Sequence, residues 1–145
     1  LRQAISAPWA KAGGKAKRRT YPVATYFPMI QRYEASVYLL GWSVPTFDAY
    51  YSLQALLRSP GGGGDGNFNL GRYSDPQQDA LIERVKTETD PKLRNQLIEK
   101  ALLNEHKVIS HIPLFNLITP WATPKKVQIP TRADNYIDWR ALQVK

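Results

Sequence analysis

The chain has 145 residues, 43% of them apolar, which suits one domain with a core of its own. It has no cysteine and only two histidines, His106 and His111, which excludes disulfide frameworks, thiolate metal sites, cysteine nucleophiles and a multi-histidine metal centre. The net charge of +8 is lopsided, with seven basic residues and one acid over residues 1–40 against thirteen and eleven over 41–145.

Leu1, Ile5, Trp9 and Ala12 recur at helical spacing, Gly13-Gly14 supply a stop, and Pro8 is a fault that kinks or shortens the helix. The opening at Leu1, in mid-pattern, is read as that of a piece of a longer protein. Residues 15–21 alternate loosely and suit an edge strand, where long basic side chains discourage pairing. Thr25 is a candidate cap for a helix through about Tyr33, with Pro28 in its first turn. The apolar run over residues 36–42 reads as a strand buried on both faces. From Thr46 or Phe47 to about Leu57 the pattern is helical again. The alternation predicts an α/β layer fold.

Residues 60–67 are glycine-rich and lack the Gly-Lys-Ser/Thr ending of a phosphate loop, so they read as a mobile surface connection. Ser74 with Gln77 makes a capping box for the next helix, and Asp90 before Pro91 opens another. On the latter, Leu93, Leu97, Ala101, Leu102, Val108 and Ile109 form an apolar stripe expected to pack on a sheet. Residues 111–119 read as a strand with Pro113 at its start or on an edge, and residues 137–145 as a terminal strand. No run is apolar over the roughly 18 residues that cross a bilayer.

The order of these segments carries a resemblance. Leu39-Leu40-Gly41-Trp42 is followed by Thr46-Phe47-Asp48 and a helix with Tyr50, Tyr51 and Leu53. Then come Asn67 to Pro76 (NFNLGRYSDP), Asp79-Ala80-Leu81, Thr87 to Asp90, His111 to Phe115 and Arg132 to Asn135. Together they resemble the C-terminal part of the family 5 extracellular solute-binding proteins, the dipeptide and oligopeptide receptors of bacterial ABC importers. The resemblance implies one lobe of a two-lobed type II binding-protein fold, a mixed sheet flanked by helices, with residues 1–145 as a partial C-terminal lobe. It implies a monomer in the periplasm, or lipid-anchored outside the cytoplasmic membrane, that binds a di- or oligopeptide and delivers it to an ABC permease in the inner membrane.

Six residues are candidates for contact with the solute: Trp42, Ser43, Thr46, Phe47, Asp48 and Arg72. In α/β sheets ligands lie beyond the carboxyl ends of strands, where Trp42 falls. Its indole offers a flat face and one donor, or else plugs the end of the sheet as core. Asp48 either accepts from a ligand amine or caps its own helix. The better-known dipeptide receptors of the resembled family carry an acid three places after this tryptophan, which meets the ligand's α-amino group, where this chain has Pro45. Either Asp48 substitutes through a shifted loop, or the ligand is not held by a free amine. Arg72 is placed to meet a carboxylate in a bidentate pair, or it is a solvated surface arginine. Asn67 and Asn69 are read as ordering their loop. Trp121, Arg132 and Asp134 are read as structural, with a ligand or interlobe contact as the alternative.

No nucleophile–base–orienter set can be drawn from two scattered histidines, so no enzyme, cofactor or metal is expected. The alternative function is a basic nucleic-acid-binding domain that uses Lys11, Lys15, Lys17, Arg18 and Arg19 as an arm. It lacks a recognition-helix, zinc-finger or aromatic RNA-binding signature.

Overall fold

The computed structural model describes residues 8–15, 17–118 and 120–145. They fall into two compact units, Leu1–Leu39 and Leu40–Lys145. Leu1 and Ile5 of the expected first helix lie outside the described residues, as do Ala16 and Thr119 of two expected strands.

In the first unit a helical turn over residues 8–11 is closed by the Ala12 amide donating to the Pro8 carbonyl (3.0 Å) and the Gly14 amide to that of Trp9 (2.8 Å). Helix α1 spans Val23–Gln31, and its N-cap is Pro22, with no side-chain cap. Thr25 is therefore not the cap, and Pro28 lies in the helix interior, where the Ala24 carbonyl loses an intrahelical donor. The helix ends in a Schellman motif. Tyr33 turns left-handed at φ 61°, its amide meets the Ile30 carbonyl, and the Glu34 amide meets that of Met29. Met29 and Ile30 are buried. The Tyr26 hydroxyl donates to the Leu39 carbonyl (2.9 Å) and accepts from the Leu39 amide (3.0 Å), so one side chain answers both backbone groups of that residue.

The second unit is built on three helical pieces. Helix α2, Ala49–Ser52, widens into a π-helical turn over Leu53–Leu57. Carbonyls at this end accept from the following loop, Gln54 from the Gly66 amide and Ala55 from the Phe68 amide, both at 2.9 Å. The glycine-rich connection is thus anchored at its far end. Gly66 has φ 61°, and a Cβ there would stand 2.6 Å from the Arg58 carbonyl oxygen, so no other residue fits without movement.

Helix α3, Pro76–Thr87, is capped by Asp75, whose carboxylate accepts from the Gln77 amide (2.8 Å). The Ser74 capping box does not form; the Ser74 hydroxyl pairs with that of Ser59 instead (2.9 Å). A charged acceptor next to Pro76 answers the orphan amides better than a hydroxyl one residue earlier. Helix α4, Pro91–Val108, starts as expected on Asp90, which accepts from the Lys92 and Leu93 amides, and ends on left-handed Ile109.

Leu53, Leu57, Ile82, Val85, Leu97 and Ala101 form one core between the π-helical turn, α3 and α4. Each buried leucine, isoleucine or valine among them contributes about 1.5–3 kcal/mol. Gln78, 1% exposed, donates from Nε2 to the Ala101 carbonyl (3.2 Å) and accepts at Oε1 from Asn104 (3.0 Å), which keeps the helix pair in register. The stripe on α4 therefore packs on α3 rather than on a sheet. Only Leu97 and Ala101 of it are buried, while Leu93, Leu102, Val108 and Ile109 stay exposed.

The expected strands over 15–21, 36–42 and 111–119 carry no ladder among the described residues. Strand pairing needs backbone partners on a neighbouring segment, and none of these three segments has one here. The sheet that forms is antiparallel and two-stranded, β1 (Val127–Gln128) with β2 (Gln143–Val144), registered Val127 to Val144. The terminal strand is thus limited to two residues, after a 3₁₀ turn at Trp139–Ala141 capped by Asp138.

Candidate functional site

Trp42 follows Gly41 and enters a tight turn in which the Phe47 amide donates to the Val44 carbonyl (3.1 Å). Phe47 closes that turn at φ 54°, a conformation uncommon outside glycine, and the residue is 67% exposed. Thr46 turns its hydroxyl oxygen toward the Asp48 amide (3.3 Å). Asp48 then starts α2, taking the Tyr50 amide on Oδ1 (2.8 Å). The same oxygen accepts from Arg94 Nη2 (2.8 Å), forty-six residues along the chain. The Arg94 bond, and then the Tyr50 amide, hold the Asp48 carboxyl below the usual carboxylate range. Arg94 is itself fixed, since its Nε donates to the Val85 carbonyl (3.1 Å). Asp48 is thus a helix cap and ion-pair partner.

Trp42 is half-buried. Its indole Nε1 donates to the Ser52 hydroxyl (3.0 Å), so its one donor is satisfied within the unit. One ring contact is a stack with Tyr51 (centroids 5.4 Å apart, planes at 30°), the other an edge contact with Phe68 (5.2 Å, 66°). The fold therefore makes an aromatic trio from the turn, α2 and the loop after the glycines.

Arg72 sits on a turn of its own at φ 55°, its amide donating to the Asn69 carbonyl (3.1 Å), and its side chain is exposed. Asn69, 2% exposed, fixes that turn. Its Nδ2 donates to the carbonyls of Arg58 (2.9 Å) and Tyr73 (2.7 Å), and its Oδ1 accepts from the Tyr73 amide (3.1 Å). Asn69 orders the loop, as its residue type suggested. Of the six candidates, Trp42, Ser43, Thr46, Phe47 and Asp48 share one segment, and Ser43 is exposed on it. Arg72 stands apart, joined to them through the loop that carries Phe68.

Sequence reasoning missed Ser52 and Arg94, and it holds Tyr51 and Phe68 only as parts of motifs. Phe68 lies within the NFNLG stretch and Tyr51 lies within one turn of Asp48, so both were within reach. Arg94 is one arginine among many on a solvated helix, and nothing in its spacing marks it.

Two concavities lie in this unit, one of them against Phe47 of the candidate segment. One of about 560 Å³ is lined by Trp121, Val127, Ile129, Arg132 and Tyr136 among others, and one of about 230 Å³ lies between Phe47 and Arg132 to Asp134. Arg132 and the Tyr136 amide bind the Asp134 carboxylate and hold its pKa down to about 2. This pair is a turn clamp. His106 is exposed on α4. His111 closes the end of α4, with its amide on Glu105 Oε1 (2.8 Å) and its Nδ1 facing the Ser110 hydroxyl (2.9 Å). Among the described residues no group of three histidine or carboxylate side chains is arranged to hold a metal ion, and no helix is long and apolar enough to cross a membrane.

No family model matches the chain, and no solved structure matches it. Among curated proteins it is similar to one named heme-binding protein A from Haemophilus influenzae, 30% identical over 114 residues. The alignment takes in 79% of this chain and 20% of that protein, so the chain spans about a fifth of the length of the curated relative it matches.

Proposed function

We propose that this chain is the solute-binding part of an ABC-type importer, a segment of the C-terminal lobe of a two-lobed receptor. In this reading it acts outside the inner membrane, in the periplasm or on a lipid anchor, and the closed receptor docks on a permease. The observation that carries the reading is the 114-residue similarity to a protein whose name assigns it a small-molecule ligand. The order of motifs from Gly41-Trp42 to Arg132-Ala133-Asp134-Asn135 supports the same reading. Two solutes are in view: peptides, which the motif order suggests, and haem, which the relative's name suggests.

Binding in such a receptor is a shift between open and closed forms, driven by the solute's preference for the closed one. A micromolar solute has about −8 kcal/mol to work with, which one buried ring stack and a few satisfied polar pairs supply. One lobe gives part of those contacts. The test is native mass spectrometry and calorimetry on the full-length protein that carries this segment. One small molecule per protein, weakened at least tenfold by Trp42→Ala, is the expected result. A full-length protein that carries no small molecule and takes up neither peptides nor haem overturns the reading.

A further inference from the structure

The two units treat their charges differently. In the second, Arg58, Arg94, Arg132 and Arg140 each meet an acid of the same unit within 3.3 Å. The first holds seven basic residues and one acid, Glu34, and that acid is spent on Arg32 (2.6 Å). Lys11, Lys15, Lys17, Arg18 and Arg19 are all exposed, and none of them is in an ion pair among the described residues. Arg19 meets only a neutral group, the Tyr21 hydroxyl at 3.5 Å. From Lys11 to Arg19 the backbone spans at most about 28 Å even when fully extended. Five like charges within that length repel one another, and nothing in their own unit answers them.

The run is bracketed by apolar side chains at the surface. Trp9, on the helical turn before it, is 38% exposed, and Val23, at the start of α1, is 73% exposed. Cations next to an exposed indole and an exposed aliphatic side chain match an interface that is anionic above and apolar beneath. The headgroup layer of a charged bilayer is built that way. Duplex DNA carries phosphates on its outside with no apolar layer under them, and residues 17–21 form no helix to lay in a groove.

We infer that Lys11, Lys15, Lys17, Arg18 and Arg19, flanked by Trp9 and Val23, are a docking strip for the anionic surface of a bilayer. This rests on the solute-binding reading, which sets the protein beside a membrane. In that reading the strip keeps the receptor at the surface that carries its permease, so the two meet by a search over an area instead of through a volume. The attraction is between exposed charges, so it fades as added salt shortens their reach.

The experiment floats the full-length protein on vesicles of phosphatidylcholine, with and without phosphatidylglycerol, and titrates it separately with a short DNA duplex at the same salt. A lipid anchor on the full-length protein adds equally to both kinds of vesicle, so the difference between them is what is read. Binding to the charged vesicles should be at least tenfold tighter than to the neutral ones. It should fall at least tenfold in Lys17→Glu/Arg18→Glu/Arg19→Glu and stay within about twofold in Lys92→Glu/Lys100→Glu/Lys107→Glu, an equal change of charge on exposed positions of α4. If the first variant does not fold, Lys15→Gln/Lys17→Gln replaces it, with a loss of at least threefold expected. Trp9→Ser should cost at least threefold on the charged vesicles. Equal binding to both vesicles, or equal losses in the two charge-reversed variants, overturns the strip. Tighter binding of the duplex than of the charged vesicles, lost in the strip variant, overturns the bilayer as its partner. Native mass spectrometry of the same preparation separates the two readings: a bound small molecule without a preference for charged vesicles overturns the strip alone, and neither of the two overturns both.

Discussion

The α3–α4 hairpin and the segment that follows it, residues 111–118, make an instructive pair within one unit. The segment is the more apolar of the two stretches, yet Ile112, Leu114, Phe115, Leu117 and Ile118 are 45–88% exposed. The helices have the lower apolar share, yet they bury Ile82, Val85, Leu97 and Ala101 completely. The difference lies in the backbone. A helix answers its own amides and carbonyls, and its ends here are closed by Asp75 and Asp90, so it needs a neighbour for one stripe only. A strand needs a neighbour for every second backbone group and for both faces. Apolar pattern states what a segment would bury, not that the partner is at hand.

The largest effect that can break this comparison is a matched pair of truncations. Leu97→Ala, at 1% exposure, should cost about 2–5 kcal/mol in urea unfolding. Leu117→Ala, at 77% exposure, should stay within about 0.5 kcal/mol. Equal costs would mean that residues 111–118 are packed in solution, and the contrast would fail.

A smaller effect sharpens the account of the glycine-rich loop. Gly66→Ala places a Cβ 2.6 Å from the Arg58 oxygen at φ 61° and should cost about 1–3 kcal/mol. Gly62→Ala meets nothing within 4 Å and should be neutral or stabilising by up to about 1 kcal/mol. Calorimetric midpoints of the two variants decide whether the loop is a fixed element at one end, and equal midpoints would count against it.

How far the sequence was legible follows from the same physics. The start of α4 could be read because a cap is local chemistry: Asp90 sits next to the amides it serves. Helix α2 starts at Ala49 rather than at Thr46 or Phe47, because Asp48, open between two roles in the sequence, caps it. Ser74 misled by one position because Asp75, beside it, is the stronger acceptor. Pro28 looked like a first-turn residue, but α1 begins at Val23 on Pro22, which left Pro28 inside it. The strand readings at 36–42 and 111–119 turned on partners that a pattern cannot reveal. At the candidate site, Trp42 to Asp48 could be found as one segment, whereas the Asp48–Arg94 pair, forty-six residues apart, could not. That pair makes Asp48 an ion-pair partner as well as a helix cap.

The smallest effect is the acid dependence of stability, and it separates the helical block from the C-terminal turn. Asp48, Asp75 and Glu83 all sit below their ordinary values, through hydrogen bonds from Arg94, Asn104 and Arg58 respectively, and Asp134 is drawn down to about 2 by Arg132. In the unfolded chain these groups titrate near about 4. The folded chain therefore binds fewer protons than the unfolded one between about pH 2 and pH 4.5, and stability rises with pH across that window. The contribution is complete above the window and is lost as the pH falls through the folded values. Urea midpoints followed by far-ultraviolet dichroism should be level from about pH 7 to 5 and fall on further acidification. Asp75→Asn should lower the midpoint near neutrality and flatten the fall, because it removes the charge-assisted acceptor of the cap and of Asn104. Asp134→Asn, in a turn outside the helical core, should leave the helical midpoint where it was at every pH. A midpoint that stays level down to about pH 2.5, or rises on acidification, would mean that the carboxylates of the hairpin hold nothing together.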